Sequence, residues 1–364
     1  MKRGFAWMVS VGMAWWSATL HADPGDETLF PAPSAGEVTL SLYGATDTVD
    51  IVPVVHDFQK LHPDLAVRYR ESTTMAMRGR FLQDRDREDG PDVIISTAMD
   101  LQVQLVNEGW AQPYRSAETG ALRSWAQWRN ELFGYSYEPV ILAYNRKLID
   151  AAQVPRTRYA LLAALRDPAR PLRGRIGTYD VTRSGIGYLV SSQDARLSSV
   201  SGALYAAMGD NDVVLMDQSG ALLDKVSNGE LTMAYNVLGA YAQRRIDAGA
   251  PLAIMQLEDY TQVLMRTVFI PRTARRVDAA RKFVDYLLSQ RGQGFMAAGR
   301  PLPPLRMETD DASTPAGAGA TQRAIPLGPG LLVYLDRLKR QHFVESWEAA
   351  MRHPHPQREA GTER

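Results

Sequence analysis

With 364 residues, 45% of them hydrophobic and 23% charged, the chain has the size and composition of a globular protein with room for two cores, which sets aside disordered and fibrous classes. Its 41 Lys and Arg residues are matched by 41 Asp and Glu, and there is no dense basic run, so no nucleic acid is expected as a partner. The absence of cysteine excludes disulfides, thiolate metal sites, cysteine nucleophiles and a lipid-anchored N-terminal cysteine.

Lys2 and Arg3 precede an apolar stretch from Phe5 to Leu20, and Ala22 offers a small residue for cleavage. The pattern predicts a signal peptide over 1–22, cleaved near Ala22, and export to the periplasm. The stretch falls short of the roughly 20 apolar residues that span a bilayer. Leu20 stands where a strict cleavage site has a small residue, so an uncleaved anchor is the alternative. Export without disulfides suits a large-cored periplasmic protein. Three prolines and three acidic groups in 23–36 predict a flexible leader.

Structure is expected to begin at Glu37. Val38 to Tyr43 alternates and is rich in β-formers, and it opens into Gly44-Ala45-Thr46-Asp47, a turn with good helix N-cap residues. Ile51, Val54, Val55, Phe58 and Leu61 then fit one helical face. Pro53 is acceptable there if it falls in the first turn, which starts the helix near Thr48 to Asp50; His62-Pro63 ends it. The unit repeats twice. Ala66 to Glu71 opens into Ser72-Thr73-Thr74, and Asp92 to Ile95 into Ser96-Thr97-Ala98, each followed by a helix, with Gly109 closing the later one. Three strand–helix units imply a parallel sheet whose hydroxyl-rich turns share the edge where open α/β sheets bind ligands. Arg78 and Arg80 lie deeper in their helix and are expected in solvent.

Val140 to Ala143, between Glu138-Pro139 and Asn145-Arg146-Lys147, is an unbroken apolar run that predicts a buried strand. After it the scheme recurs. Arg175 to Tyr179 is a strand that opens into Asp180 to Gly185 and a helix, Val213 to Met216 a short strand, and Ala221 to Val226 a helix. Leu231 to Tyr235 is a strand ending in Asn236 to Ala240, and Leu252 to Leu257 a further one. Thr261 to Ile270 is a second long β-rich run, the candidate for a return crossing, and Arg276 to Ser289 a strongly periodic helix. The Gly/Ala/Thr-rich residues 309–321 predict a mobile insert, Leu327 to Trp347 an amphipathic helix, and 353–364 a frayed tail.

Thr182-Arg183-Ser184-Gly185 is the sharpest constellation. A strand ending in hydroxyls and glycine at a helix N-terminus offers free N–H groups and the positive end of the dipole, and Arg183 adds a bidentate charge. An ordinary N-cap with a solvated arginine is the competing interpretation. Gly185 and Gly187 begin a dinucleotide fingerprint, but Val190 stands in place of its third glycine. No nucleophile elbow, zinc-protease or phosphate-loop motif is present, and His56, set among apolar neighbours, suits a structural role, so the chain is not expected to be an enzyme or to carry a cofactor. His353 and His355 fall in the tail, and no metal site is assigned.

Four stretches, EVTLSLYGATD, YEPVILAYNRKLID, SNGELTMAYNVLGAYA and RRVDAARKFVDYLLSQRGQGFMAAG, lie in matching order and spacing from Glu37 to Gly299. On them the chain resembles the type II periplasmic solute-binding proteins of ABC transporters, in the branch with ferric-iron, hexose-phosphate and phosphoglycerate-sensing members. The resemblance implies an α/β fold of two lobes, each a mainly parallel sheet flanked by helices, joined by two crossing strands and closing on one solute. It places lobe 1 at 37–140 and 268–352 and lobe 2 at 141–267. It further implies that Thr46, Asp47, Thr73, Thr74, Ser96 and Thr97 meet the solute from the first lobe. Thr182 to Gly185, Tyr235, Asn236 and Gly239 do so from the second, and Tyr137 lies near enough at the hinge. Each first-lobe hydroxyl taken singly also fits a simple cap. Iron-binding relatives use a tyrosine pair, whereas Ala234-Tyr235-Asn236-Val237 has one tyrosine, so ferric iron is disfavoured. A small anionic solute, a phosphate ester, phosphonate or carboxylate, is expected instead. The partner is an ABC permease at the inner membrane or the periplasmic domain of a sensor kinase, and the chain is expected to act as a monomer.

Overall fold

The computed structural model describes residues 27–35, 38–169, 171–297, 305 and 322–351. The expected signal peptide over 1–22, mobile insert at 309–321 and frayed tail at 353–364 lie outside these residues. Strand β1 (Glu27–Phe30) falls inside the expected leader and corrects it. It pairs antiparallel with β3 (Leu65–Glu71), Glu27 reaching Arg70 at 2.6 Å and Arg68 at 3.1 Å, while Phe30 is buried. Two ion pairs and a buried ring hold a segment whose prolines suggested a loop.

Between these strands run β2 (Val38–Gly44) and α1 (Thr48–Leu61). Leu40 and Leu42 on β2 meet Ile51, Val55 and Phe58 on α1, all fully buried, each contributing roughly 1.5–3 kcal/mol by leaving water. Pro53 sits beyond the first turn, where its missing N–H removes one helical bond that packing compensates. Helix α2 (Thr74–Asp84), β4 (Val93–Ser96), α3 (Met99–Asn107), the short α4 (Ala117–Gly120), β5 (Gln127–Trp128) and β6 (Leu132–Gly134) complete the first pass.

The chain crosses to a second sheet along β7 (Glu138–Asn145). There follow α5 (Arg158–Arg166), β8 (Ile176–Tyr179), α6 (Gly185–Leu197), α7 (Ser201–Asp210), β9 (Val214–Met216) and α8 (Ser219–Ser227). Next come β10 (Met233–Leu238), α9 (Gly239–Asp247), β11 (Leu252–Met255) and β12 (Thr261–Leu264). Strand β13 (Thr267–Phe269) returns to the first sheet, ahead of α10 (Val277–Leu288) and α11 (Gln290–Ala297); β14 (Gln322–Ala324) and α12 (Arg337–Met351) close the described chain. The run expected as one strand from Thr261 to Ile270 is thus two, broken at Met265-Arg266 where it changes sheets.

Strand order is β1-β3-β2-β4-β13-β6-β5 in the first sheet and β14-β12-β7-β10-β8-β9 in the second, with β11 also on β7. The β3-β2-β4 and β10-β8-β9 groups are parallel, but the crossing strands pair antiparallel with their neighbours. The architecture is the expected α/β one of two helix-flanked sheets, each with a parallel group of strands to which the crossing strands, and in the first sheet the β1–β3 and β5–β6 pairs, add antiparallel neighbours.

The C-terminal segment does not sit with the first lobe. Strand β14 pairs parallel with β12, and α12 packs on α7, burying Trp347 and Met351. A Cβ at Gly209 would stand 2.2 Å from the Ala350 carbonyl, so glycine permits that approach. Leu327 N–H bonds the Trp125 carbonyl of the first lobe at 2.9 Å, and Leu331 packs in the adjoining core.

Candidate functional site

The ends of β2, β3 and β4 face those of β8 and β9 across the seam between the lobes. Between them lies a cleft with about 480 Å³ of empty space, counting the part open to solvent. Ala45, Asp47, Glu71, Ser72, Thr73, Thr74 and Thr97 line it from the first lobe. Ile186, Asp217, Gln218, Ser219, Gly220, Leu238 and Tyr241 line it from the second.

Most of the lining hydroxyls also cap structure. Thr73 Oγ1 accepts from Ala76 N–H at 3.2 Å and so caps α2. Thr74 Oγ1 reaches across the cleft and accepts from Gly185 N–H at 3.1 Å and Ile186 N–H at 3.3 Å, the free donors at the start of α6. Tyr241 O–H donates to Asp47 Oδ1 at 3.2 Å, and Arg244 on α9 pairs with Asp50 at 2.8 Å and stands 3.8 Å from Asp47. These bonds join one lobe to the other. Burial pushes the Asp50 carboxyl up to about 6 against the attraction of Arg244.

The charged side chains of the lining itself are acidic, with an arginine behind two of them: Arg244 stands 3.8 Å from Asp47 and Arg183 3.5 Å from Asp217. Asp47, Glu71 and Asp217 are the lining's charged side chains, and no Lys, Arg or His is among them. Glu71 Oε2 accepts from Thr48 N–H at 2.8 Å and Thr48 Oγ1 at 2.7 Å, which anchors α1.

Of the residues expected from the sequence, Asp47, Thr73, Thr74 and Thr97 line the cleft, and Gly185 touches its wall through Thr74. Others are placed elsewhere. Thr46 is buried, its Oγ1 accepting from Arg266 at 2.6 Å, and Ser96 Oγ caps Ala98 N–H at 3.1 Å. Thr182 Oγ1 donates to Asp180 at 2.5 Å, and Ser184 Oγ caps α6 through Gly187 N–H at 3.1 Å. Arg183 is exposed, with 69% of its side chain in solvent, and faces Asp217 at 3.5 Å. The expected anion cradle is therefore spent: its N–H groups are bonded to Thr74, Asp180 and Ser184, and its guanidinium lies outside the lining.

Tyr235 and Asn236 are buried in the second lobe rather than the cleft wall. Strand β10 runs on to Leu238 with a bulge at Asn236, whose φ is 63°, and both side chains donate to Asp194 Oδ2 at 2.7 Å. Gly239 starts α9, where a Cβ would stand 3.2 Å from the Pro139 carbonyl, and Tyr137 O–H donates to Gln322 at 3.4 Å. What the sequence passed over is Asp217 to Gly220, the turn after β9, and Tyr241 in the first turn of α9. The former has the same strand-end, hydroxyl-bearing form as the turns already singled out. Among the described residues no group of three or more His, Asp or Glu side chains is placed to hold a metal ion.

A model of the family described as bacterial extracellular solute-binding protein matches residues 45–294. No curated protein matches the sequence. The substrate-binding protein of an ABC transporter from Agrobacterium tumefaciens is 33% identical, with a TM-score of 0.83 over 90% of this chain and 99% of that one. AfuA from Actinobacillus pleuropneumoniae, solved with fructose-6-phosphate, is 18% identical with a TM-score of 0.70 over 88% of this chain and 100% of its own. Iron-bound HitA from Pseudomonas aeruginosa is 18% identical with a TM-score of 0.69 over 86% of this chain and 99% of its own. The last two likenesses are of fold alone.

Proposed function

The chain belongs to the bacterial extracellular solute-binding proteins, of the type II periplasmic kind that serves ABC transporters, and from that premise we propose that it captures a small amine-bearing solute in the periplasm. The solute is held between the lobes and handed to an ABC permease. One observation carries the choice of an amine: the charged side chains that line the cleft are Asp47, Glu71 and Asp217. A unit charge about 4 Å from a carboxylate feels roughly 4 kcal/mol at the effective dielectric near a protein surface, attractive for an ammonium and repulsive for a phosphate. Thr73, Thr97, Gln218 and Ser219 supply hydrogen bonds for the remainder of the solute.

The anion expected from Thr182 to Gly185 is the second reading, and the paired N–H groups of Gly185 and Ile186 at the seam favour it. To use them an anion must displace Thr74 and tolerate three carboxylates. A zwitterion whose ammonium faces Asp47 or Asp217 and whose carboxylate faces α6 satisfies both observations.

A thermal-shift screen of the chain against diamines, amino acids, phosphate esters, phosphonates, dicarboxylates, sugars and Fe(III) tests the proposal. A compound at about 100 times its Kd adds roughly 2.7 kcal/mol to stability. Amine-bearing compounds are expected to raise the melting temperature, and Asp47→Asn and Asp217→Asn to abolish the shift. A shift from phosphate esters or phosphonates alone overturns the amine. Co-purification of the loaded protein with a permease, as against a sensor kinase, assigns the output.

A further inference from the structure

The hinge contains an arginine that touches both lobes. Arg266 sits at the break between β12 and β13, where the chain returns from one sheet to the other, and it is 1% exposed. Its Nε donates to Glu138 Oε1 at 2.6 Å, and an NH2 proton points to Glu138 Oε2 at 3.3 Å, a fork on the opposite crossing strand. Its remaining nitrogen donates to Thr46 Oγ1 at 2.6 Å in the first lobe. The guanidinium carbon lies 5.4 Å from the centre of the Tyr241 ring in the second lobe. Ser136 ties the base of the array, donating to Glu138 at 2.9 Å and accepting from the Arg266 N–H at 2.9 Å.

Thr46 is flanked by Ala45 and Asp47, and Tyr241 stands opposite; all three line the cleft. We infer that Arg266 is a positioning residue for solute capture: its planar fork, held on Glu138, fixes the Thr46 turn and the Tyr241 ring relative to each other and so defines the closed cleft. The inference rests on the interlobe cleft being the solute site. The geometry calls for arginine, because a lysine ammonium is a point donor that cannot hold Glu138 in a bidentate grip and Thr46 at the same time.

The absence of cysteine makes a solute-free test direct. A Cβ at Gly185 would lie 3.2 Å from Thr74 Cβ across the cleft, close to the roughly 3.5–4.5 Å between Cβ atoms of a disulfide. The pair Thr74→Cys and Gly185→Cys therefore cross-links when the lobes close, and the oxidation rate reports visits to the closed arrangement. With Arg266 present, cross-linking is expected to be at least tenfold faster than in Arg266→Met, with Arg266→Lys between them. Should Arg266→Met fail to fold, Thr46→Val, which removes one acceptor of the fork, is expected to slow the reaction in the same direction.

Arg158→Met is the control, since Arg158 is a buried cation whose partners Tyr235, Asp259, Tyr260 and Asp194 lie in the second lobe. It is expected to lower the melting temperature and leave the cross-linking rate within twofold. Equal rates with and without Arg266, no cross-linking in either background, or an equal slowing by Arg158→Met would each overturn the inference. The screen for solutes is a separate measurement, so failure of the amine assignment leaves this result interpretable.

Discussion

Asp194 is the place to break the second lobe. Its carboxylate, with no exposed surface, accepts from Tyr235 O–H and Asn236 Nδ2 at 2.7 Å, Tyr260 O–H at 2.7 Å and Gln262 Nε2 at 2.5 Å, and it pairs with Arg158 at 3.1 Å. Replacing Asp194 by Ala takes one of its two carboxylates from the buried Arg158 guanidinium, which keeps Asp259 and the Tyr260 carbonyl, and takes the carboxylate acceptor from four buried donors, of which Gln262 keeps the Val190 carbonyl. At about 1–3 kcal/mol per orphaned group, relaxed by partial rearrangement, the loss is roughly 6 kcal/mol or more, comparable with the whole stability of a domain. Arg158→Met is milder: four neutral donors still hold the carboxylate, so the cost falls near 3 kcal/mol, the low end for a broken buried pair. Replacing both, as Arg158→Met with Asp194→Leu, should cost less than Asp194→Ala alone, because no charge is stranded. Urea unfolding followed by far-UV circular dichroism and tryptophan emission measures all three, with transition midpoints compared so that separate unfolding of the lobes is visible. An Asp194→Ala variant within about 1 kcal/mol of the parent would refute the reasoning, which rests on unmet donors being costly.

Three further outcomes are expected. Burial holds the Asp100 carboxyl up at about 7, only partly offset by the Leu101 amide, so its contribution to folding is present at low pH and is lost as pH rises through 7. Asp100→Asn should accordingly melt above the parent at pH 8.5, by roughly 2–4 kcal/mol of stability, with the gap closing toward pH 4 in calorimetric scans. Gly209→Ala places a methyl where the Ala350 carbonyl stands, and is expected to cost about 1–3 kcal/mol and to expose α12 to limited proteolysis. Thr74→Val frees the Gly185 and Ile186 N–H groups: isothermal titration should show tighter binding of a carboxylate-bearing zwitterion and weaker binding of a plain diamine.

The strand–helix rhythm was readable in the sequence because hydrophobic period and turn chemistry agree along it. Leu40 and Leu42 alternate, Ile51, Val55 and Phe58 recur at helical spacing, and the polar turns fall between them. The first-lobe wall was readable for the same reason, though only to within a residue. Thr46 and Asp47 are adjacent, yet one is turned into the hinge and the other into the cleft. In the second lobe Arg183 drew attention to its own turn: a charge adjacent to caps resembles an anion site in one dimension, whereas in the fold its side chain is largely in solvent and faces Asp217. Nothing local marks Tyr235 as buried, because its partners Arg158 and Asp194 are 77 and 41 residues away. The same holds for Arg266, whose contacts to Glu138 and Thr46 span 128 and 220 residues.

Where the ionic groups are buried explains what moves. Inside each lobe they form closed networks: Arg158 with Asp194 in the second, and Asp57 with Tyr286 at 3.1 Å and Arg291 at 3.0 Å in the first. Such networks resist partial opening, since releasing one member strands the others. Across the seam, the polar contacts at the cleft among the described residues include Thr74 with α6, Tyr241 with Asp47, Arg244 with Asp50, and Arg266 with Thr46. At about 0.5–1.5 kcal/mol each, they favour closure by only a few kcal/mol, a bias to which a solute with differential affinity for the closed state adds. For the proposed capture cycle, the charge networks inside each lobe favour lobes that move as units, and the single, partly wet bonds across the seam favour a cleft that opens. Arg266 is the exception among them, a seam contact that is fully buried, and that is why its removal should alter closure where removal of Arg158 should alter only stability.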